Sequence, residues 1–141
     1  MAKRRNRSKL SGAAADLVAR ERVCRVATAS SEGQPHLVPV CHVLVGSKLY
    51  IGSGDGAKVR NLKANPKITV TVDLYSDYWA EIKGVMVQGT AKLIERGPAF
   101  QRAKRKLYEK YPQYAKDAAL SPSDSVIVEI TPTHVYAWGL E

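Results

Sequence analysis

Strand-like runs of apolar residues recur along this chain, and one of them, residues 67–73, alternates cleanly with a period of two. The stretches "RVCRVATAS" (22–30), "HLVPVCHVLV" (36–45), "KLYIGS" (48–53), "KITVTVD" (67–73) and "IKGVMVQGTAKLI" (82–94) read as strands. So do "SVIVEI" and "HVYAWG", parted by Thr131-Pro132-Thr133. Gly46-Ser47 supplies a tight turn, Pro39 implies an edge, a bulge or a missing ladder bond, and Gly84 and Gly89 mark expected bulges. Helical spacing occurs in three places. Ser11 opens an alanine-rich helix over 11–22 as its N-cap. A short helix covers 57–64, stopped by Asn65-Pro66. Pro98 begins a third, with Phe100, Ala103, Leu107 and Tyr111 on one stripe. Strand follows strand with few helices between, which predicts a mainly β fold: an antiparallel barrel with peripheral helices.

The stretch "GSGDGAKVRNL" (52–62) stands between a strand and the second helix. Gly52, Gly54 and Ala57, with Asp73 about 20 residues on, have the spacing of a dinucleotide fingerprint. The context excludes that reading. A dinucleotide fold needs repeated strand-helix-strand crossovers, and one crossover-like segment exists here. Asp55 would also place a negative charge among pyrophosphate oxygens. Lys58, Arg60 and Asn61 instead occupy the first turns of a helix whose free N–H groups attract anions. The segment reads as a cradle for a single phosphate.

Composition narrows the classes further. The 141 residues make one domain, carrying 22 Lys and Arg against 13 Asp and Glu, for a formal charge of +9. Five of those bases (Lys3, Arg4, Arg5, Arg7 and Lys9) crowd the first residues, so residues 1–10 are expected to be a basic flexible tail and 11–141 the folded domain. The mildly basic remainder suits an anionic ligand as well as it suits RNA. Cys24 and Cys41, each in an apolar run, read as small buried hydrophobes of a reducing compartment. No apolar run approaches the ~20 residues of a membrane span and no signal-peptide core is present, so a cytoplasmic protein without membrane contact is expected.

Four motifs in order, "RVATASSEGQPHLVPV", "KLYIGSGDGAKVRNLKANPKITVTVD", "VMVQGTAKLI" and "VYAWG", resemble the pyridoxamine-phosphate-oxidase-like split barrels, the flavin and deazaflavin oxidoreductases. The resemblance implies a six-stranded antiparallel split β-barrel that forms a homodimer, with FMN or a deazaflavin (coenzyme F420) between subunits. It implies phosphate contacts from Ser53, Lys58, Arg60 and Asn61, and ring contacts from Val38, Pro39, Val40 and Trp138. Trp79 and Gln88 are further candidates. The chain lacks the arginine and lysine of the second strand and the "RLHDR"-like C-terminal motif of true pyridoxamine phosphate oxidases, which argues against vitamin B6 oxidation. "VDLYSDYW" and "YPQY" are closer to a deazaflavin-dependent subgroup, yet that subgroup has a longer, more basic loop than "GSGDGAK". The shorter loop puts FMN ahead.

The functional expectation is hydride transfer between the bound ring and a small organic substrate. In this scheme the protein positions the ring and need supply no acid or base, so no catalytic residue is named. A non-catalytic cofactor carrier or a nucleic-acid-binding barrel is the competing class. Single-strand binders do not need the cradle with its "HLVPV" partner strand, which weighs against nucleic acid. His36, His42, Cys24 and Cys41 match no tight metal-ligand spacing, and no metal is expected. Trp79 and Trp138 are each open to a core role as well as a cofactor contact. The bases of 102–116 read as a solvated helix face, or as an attractor of an anionic cofactor tail or RNA.

Overall fold

The computed structural model describes residues 4–140, with side chains from Arg7 onward. In chain order it has β1 (Arg4–Arg7), α1 (Gly12–Arg20), β2 (Cys24–Ala29), β3 (Pro35–Val40), β4 (Val43–Val45) and β5 (Lys48–Gly54). Then come α2 (Ala57–Ala64), β6 (Lys67–Leu74), a 3-10 turn (Trp79–Glu81), β7 (Lys83–Ile94), α3 (Pro98–Lys110), α4 (Tyr114–Asp117) and β8 (Ser125–Trp138). The strands form one antiparallel sheet in the order β3-β2-β6-β7-β8-β5-β4, and β1 pairs with the end of β8. Among the described residues the sheet therefore has eight strands where six were expected.

Three differences from the sequence reading have local causes. The run 36–45 breaks at Cys41-His42, because the buried His42 is bonded sideways there instead of along a ladder. The two expected C-terminal strands are one, since β8 bends through Pro132 opposite Gly89, where the ladder with β7 slips by one residue. A Cβ on Gly89 would strike the Thr131 carbonyl, so glycine is required at that bend. Gly84 marks no bulge. It lies opposite Trp138, whose indole fills the space a side chain would need. The expected tail is also in part a strand: the backbone of Arg4–Arg7 pairs with Val135–Trp138, an edge that β5 leaves open. Lys3 lies outside the described residues. Ser11 precedes α1 but makes no side-chain cap bond.

The sheet carries different layers on its two faces. Directly opposed residues of an antiparallel pair share a face. On one face Val26, Val70, Val85 and Val135 bury against Leu17 and Val18 of α1 and Leu62 of α2. The opposite face is covered only at the β4-β5-β8 end, where Phe100, Ala103 and Leu107 of α3 pack with Ile127 and Tyr111 into a second cluster. The stripe read from the sequence is the buried face of α3.

At the other end the second face stays bare. Its rows run Pro39–Arg25–Thr71–Met86–Tyr136 and Leu37–Ala27–Thr69–Gln88–His134 across β3, β2, β6, β7 and β8. Leu37 is 66% exposed there.

Tyr111 ties the layers together. Its hydroxyl accepts from the His42 amide at 3.0 Å and lies 2.6 Å from the His42 carbonyl and 3.0 Å from the Arg22 carbonyl, to which it can donate. One side chain thereby joins α3, the β3–β4 connection and the α1–β2 connection.

Candidate cofactor site

The start of α2 has the properties of an anion cradle. Gly56 is the N-cap and contributes no side-chain bond, so the first-turn amides of α2 face outward without a cap. A Cβ built on Gly54 or Gly56 meets nothing within 4 Å, so packing within the chain does not demand glycine at either position. Gly52 is different, because a Cβ there would press on Leu120 and the Tyr114 hydroxyl. The open glycines leave room for a ligand to approach the backbone.

Lys58 is half-buried, and desolvation lowers its pKa. It forms no ion pair among the described residues. A half-buried ammonium without a carboxylate is strongly favoured to take an anion. Arg60 is exposed on the same turn. The Asn61 side-chain amide donates to Thr28 Oγ1 at 3.0 Å. Thr28 faces His36 across β2 and β3, and His36 Nδ1 is buried with no partner. Thr28 and His36 therefore extend the site beyond the residues picked from the sequence. Period-two alternation puts them on one face, but only the register makes them neighbours. The Ser53 hydroxyl turns back onto the Gly54 carbonyl at 2.9 Å.

The remaining candidates divide between places. Pro39, Gln88 and Trp138 stand on the bare face, Trp138 tilted against Tyr136 with ring centroids 6.0 Å apart. Val38 and Val40 alternate to the other face, with Val40 packed against the main core. Trp79 projects from its 3-10 turn at 75% exposure, close in sequence to the exposed Tyr75 and Tyr78. Asp73 pairs with Arg25 at 2.8 Å and leaves the dinucleotide reading without its ribose acid.

The family model described as Pyridoxamine 5'-phosphate oxidase matches residues 10–139. The chain belongs to this family. A comparison with curated proteins found no match. Among solved structures, a conserved hypothetical protein of Mycobacterium tuberculosis is similar, with a TM-score of 0.77 and 22% identity over 93% of this chain and 86% of that one. A FAD-binding protein from Mesorhizobium loti has a TM-score of 0.76 and 20% identity over 98% of both chains. A heme storage protein from Vibrio cholerae reaches 0.80 at 14% identity, covering 94% of this chain and 96% of that one. At these identities the likeness establishes the split-barrel fold, which this pyridoxamine-phosphate-oxidase family member shares with binders of unlike ligands. Among the described residues no helix is long and apolar enough to cross a membrane.

Proposed function

We propose that the chain is a flavin-dependent oxidoreductase that holds the phosphate of FMN at the start of α2. The observation that carries this reading is the uncapped helix start with two open glycines and a half-buried, acid-free Lys58. Bound FMN supplies two-electron hydride chemistry. The first-turn amides of α2 and the Lys58 ammonium grip the phosphate, with Arg60 adding charge from the rim. Asn61 acts differently. One N–H of its side-chain amide is held by Thr28, so it steadies β2 against the helix and keeps its second N–H for a ligand. Pro39, Tyr136 and Trp138 stand on the sheet face opposite α2, so they would meet the ring of this FMN from a second subunit, offering it an apolar surface that excludes water. A deazaflavin bearing the same phosphate is the second reading, favoured by the exposed aromatic loop at Tyr75, Tyr78 and Trp79.

The absorbance spectrum of the purified protein is the direct test. A flavin or deazaflavin band is expected, strengthened by added FMN. A heme spectrum, or flat titrations with both cofactors, would sink the oxidoreductase reading.

The bare face also supports a homodimer in which each cofactor lies between subunits. Leu37, Ala27, Met86, Tyr136 and Trp138 share one sheet face with Thr69 and Thr71 between them, no helix among the described residues packs over it, and exposed apolar groups of that kind mark contact sites. Sedimentation at micromolar concentration should give twice the chain mass, and Leu37→Asp should shift the equilibrium towards monomer. A stable monomer of the unaltered chain would refute the arrangement.

A further inference from the structure

The surplus positive charge beyond the N-terminal segment is concentrated in one place. From residue 10 onward, residues 98–117 hold six bases (Arg102, Lys104, Arg105, Lys106, Lys110 and Lys116) against two acids, whereas the rest holds eleven of each. Three of these cations, Arg102, Arg105 and Lys106, stand at i, i+3 and i+4 and so emerge on one side of α3. All three border a cavity of about 150 Å³ between α3 and the sheet, floored by Tyr50 and Glu129 with Val45 and Ala103 as apolar wall.

The one carboxylate in this lining is already engaged. Glu129 accepts a 3.0 Å hydrogen bond from the Tyr50 hydroxyl and lies 3.6 Å from Lys48 Nζ. Lys106 pairs at 3.6 Å with Glu109, which lies outside the lining. Arg102 and Arg105 form no ion pair among the described residues. Like charges at these spacings repel one another, and an anion between them would relieve that repulsion. The apolar wall keeps water from one side and strengthens the attraction.

We infer that this cavity is a second anion site, taking a compact dianion: a phosphate group or paired carboxylates on a small molecule. It is separate from the cradle, because Tyr50 and Glu129 face α3 while α2 packs on the other side of the sheet. A nucleic-acid strand fits the surface less well. Tyr108 is stacked on Tyr114 at 5.8 Å and has Lys104 Nζ 5.4 Å from its ring centroid, which leaves no face for a base.

The test is an amide NMR titration of the whole protein with inorganic phosphate, then with malonate, at ionic strength held constant with sodium chloride. Saturable shifts are expected at Tyr50 and Ala103 with either probe, and the tighter probe identifies the ligand's acid group. Arg102→Gln and Arg105→Gln should each weaken binding about tenfold or more. Both side chains are exposed, so unchanged thermal melts should accompany the loss. Lys58→Ala should erase any separate shifts at Ala57–Asn61 and leave those at Tyr50 and Ala103 intact. Lys116→Gln, the same charge loss away from the cavity, should change nothing. The site is refuted if shifts fail to saturate, or if Lys116→Gln weakens binding as much as Arg105→Gln. Duplex DNA that binds with equal dependence on Lys116 and Arg105 would likewise overturn it, in favour of a diffuse polyanion surface.

Discussion

Lys58→Ala is expected to weaken FMN binding about tenfold or more while leaving riboflavin, which lacks the phosphate, nearly unaffected. A charge-assisted hydrogen bond contributes roughly 1.5–3 kcal/mol, and tenfold corresponds to about 1.4 kcal/mol. Arg60→Ala should act in the same direction with a smaller loss, because its guanidinium is exposed and screened. Added salt should shrink the Arg60 effect faster than the Lys58 effect, since burial protects the latter from counter-ions. Fluorescence titrations of the two variants with both ligands check this. Equal losses for FMN and riboflavin would show that neither residue meets a phosphate.

Acid should destabilise the fold through His42. The imidazole is fully buried, with Nε2 2.7 Å from the Val18 carbonyl and Nδ1 unpartnered. Burial pushes its pKa from 6.5 down to about 4; the Val18 carbonyl opposes that shift, and nearby Lys110 adds to it. The folded chain thus refuses a proton that the unfolded chain accepts. Stability from this group is complete above about pH 6.5, falls as the pH drops towards 4, and is level below that. The full loss is on the order of 3 kcal/mol. Urea unfolding across that window should show a steeper fall for the unaltered protein than for His42→Gln, which can still donate to Val18 but cannot titrate. Parallel slopes would mean that His42 does not set the acid sensitivity.

Much of this was legible in the sequence where a single local signal decided the outcome. The helix at 57–64, the Gly46 turn and the buried stripe of α3 each follow from spacing and punctuation residues, and each is where that reasoning places it. The break in 36–45 was not legible, because the partners of His42 lie far off in sequence at Val18 and Tyr111. Pairing of residues 4–7 was masked by their charge, which says nothing about backbone bonds. For the cradle, Lys58 and Asn61 could be read from the helix start, but Thr28 and His36 could not. Their place depends on the register of β2 with β3 and on α2 crossing above it. Val38, Pro39 and Val40 formed one motif in the sequence, yet the pleat divides them between two faces.

β8 has a consequence for how the chain reaches this state. It is 14 residues long, pairs with β7 from Ile127 to Trp138, with β5 from Ser125 to Ile130 and with β1 from Val135 to Trp138, and its side chains enter both buried clusters. None of those pairings exists until residues 125–138 have been synthesised. While the ribosome is still making α3, β5 and β7 have made their apolar side chains but lack the strand that belongs between them. Contacts that span so much of the chain are slow to form, since loop closure must precede the gain. The nascent protein should therefore expose unpaired strand edges until its synthesis is nearly done, which makes it a client for chaperones during translation.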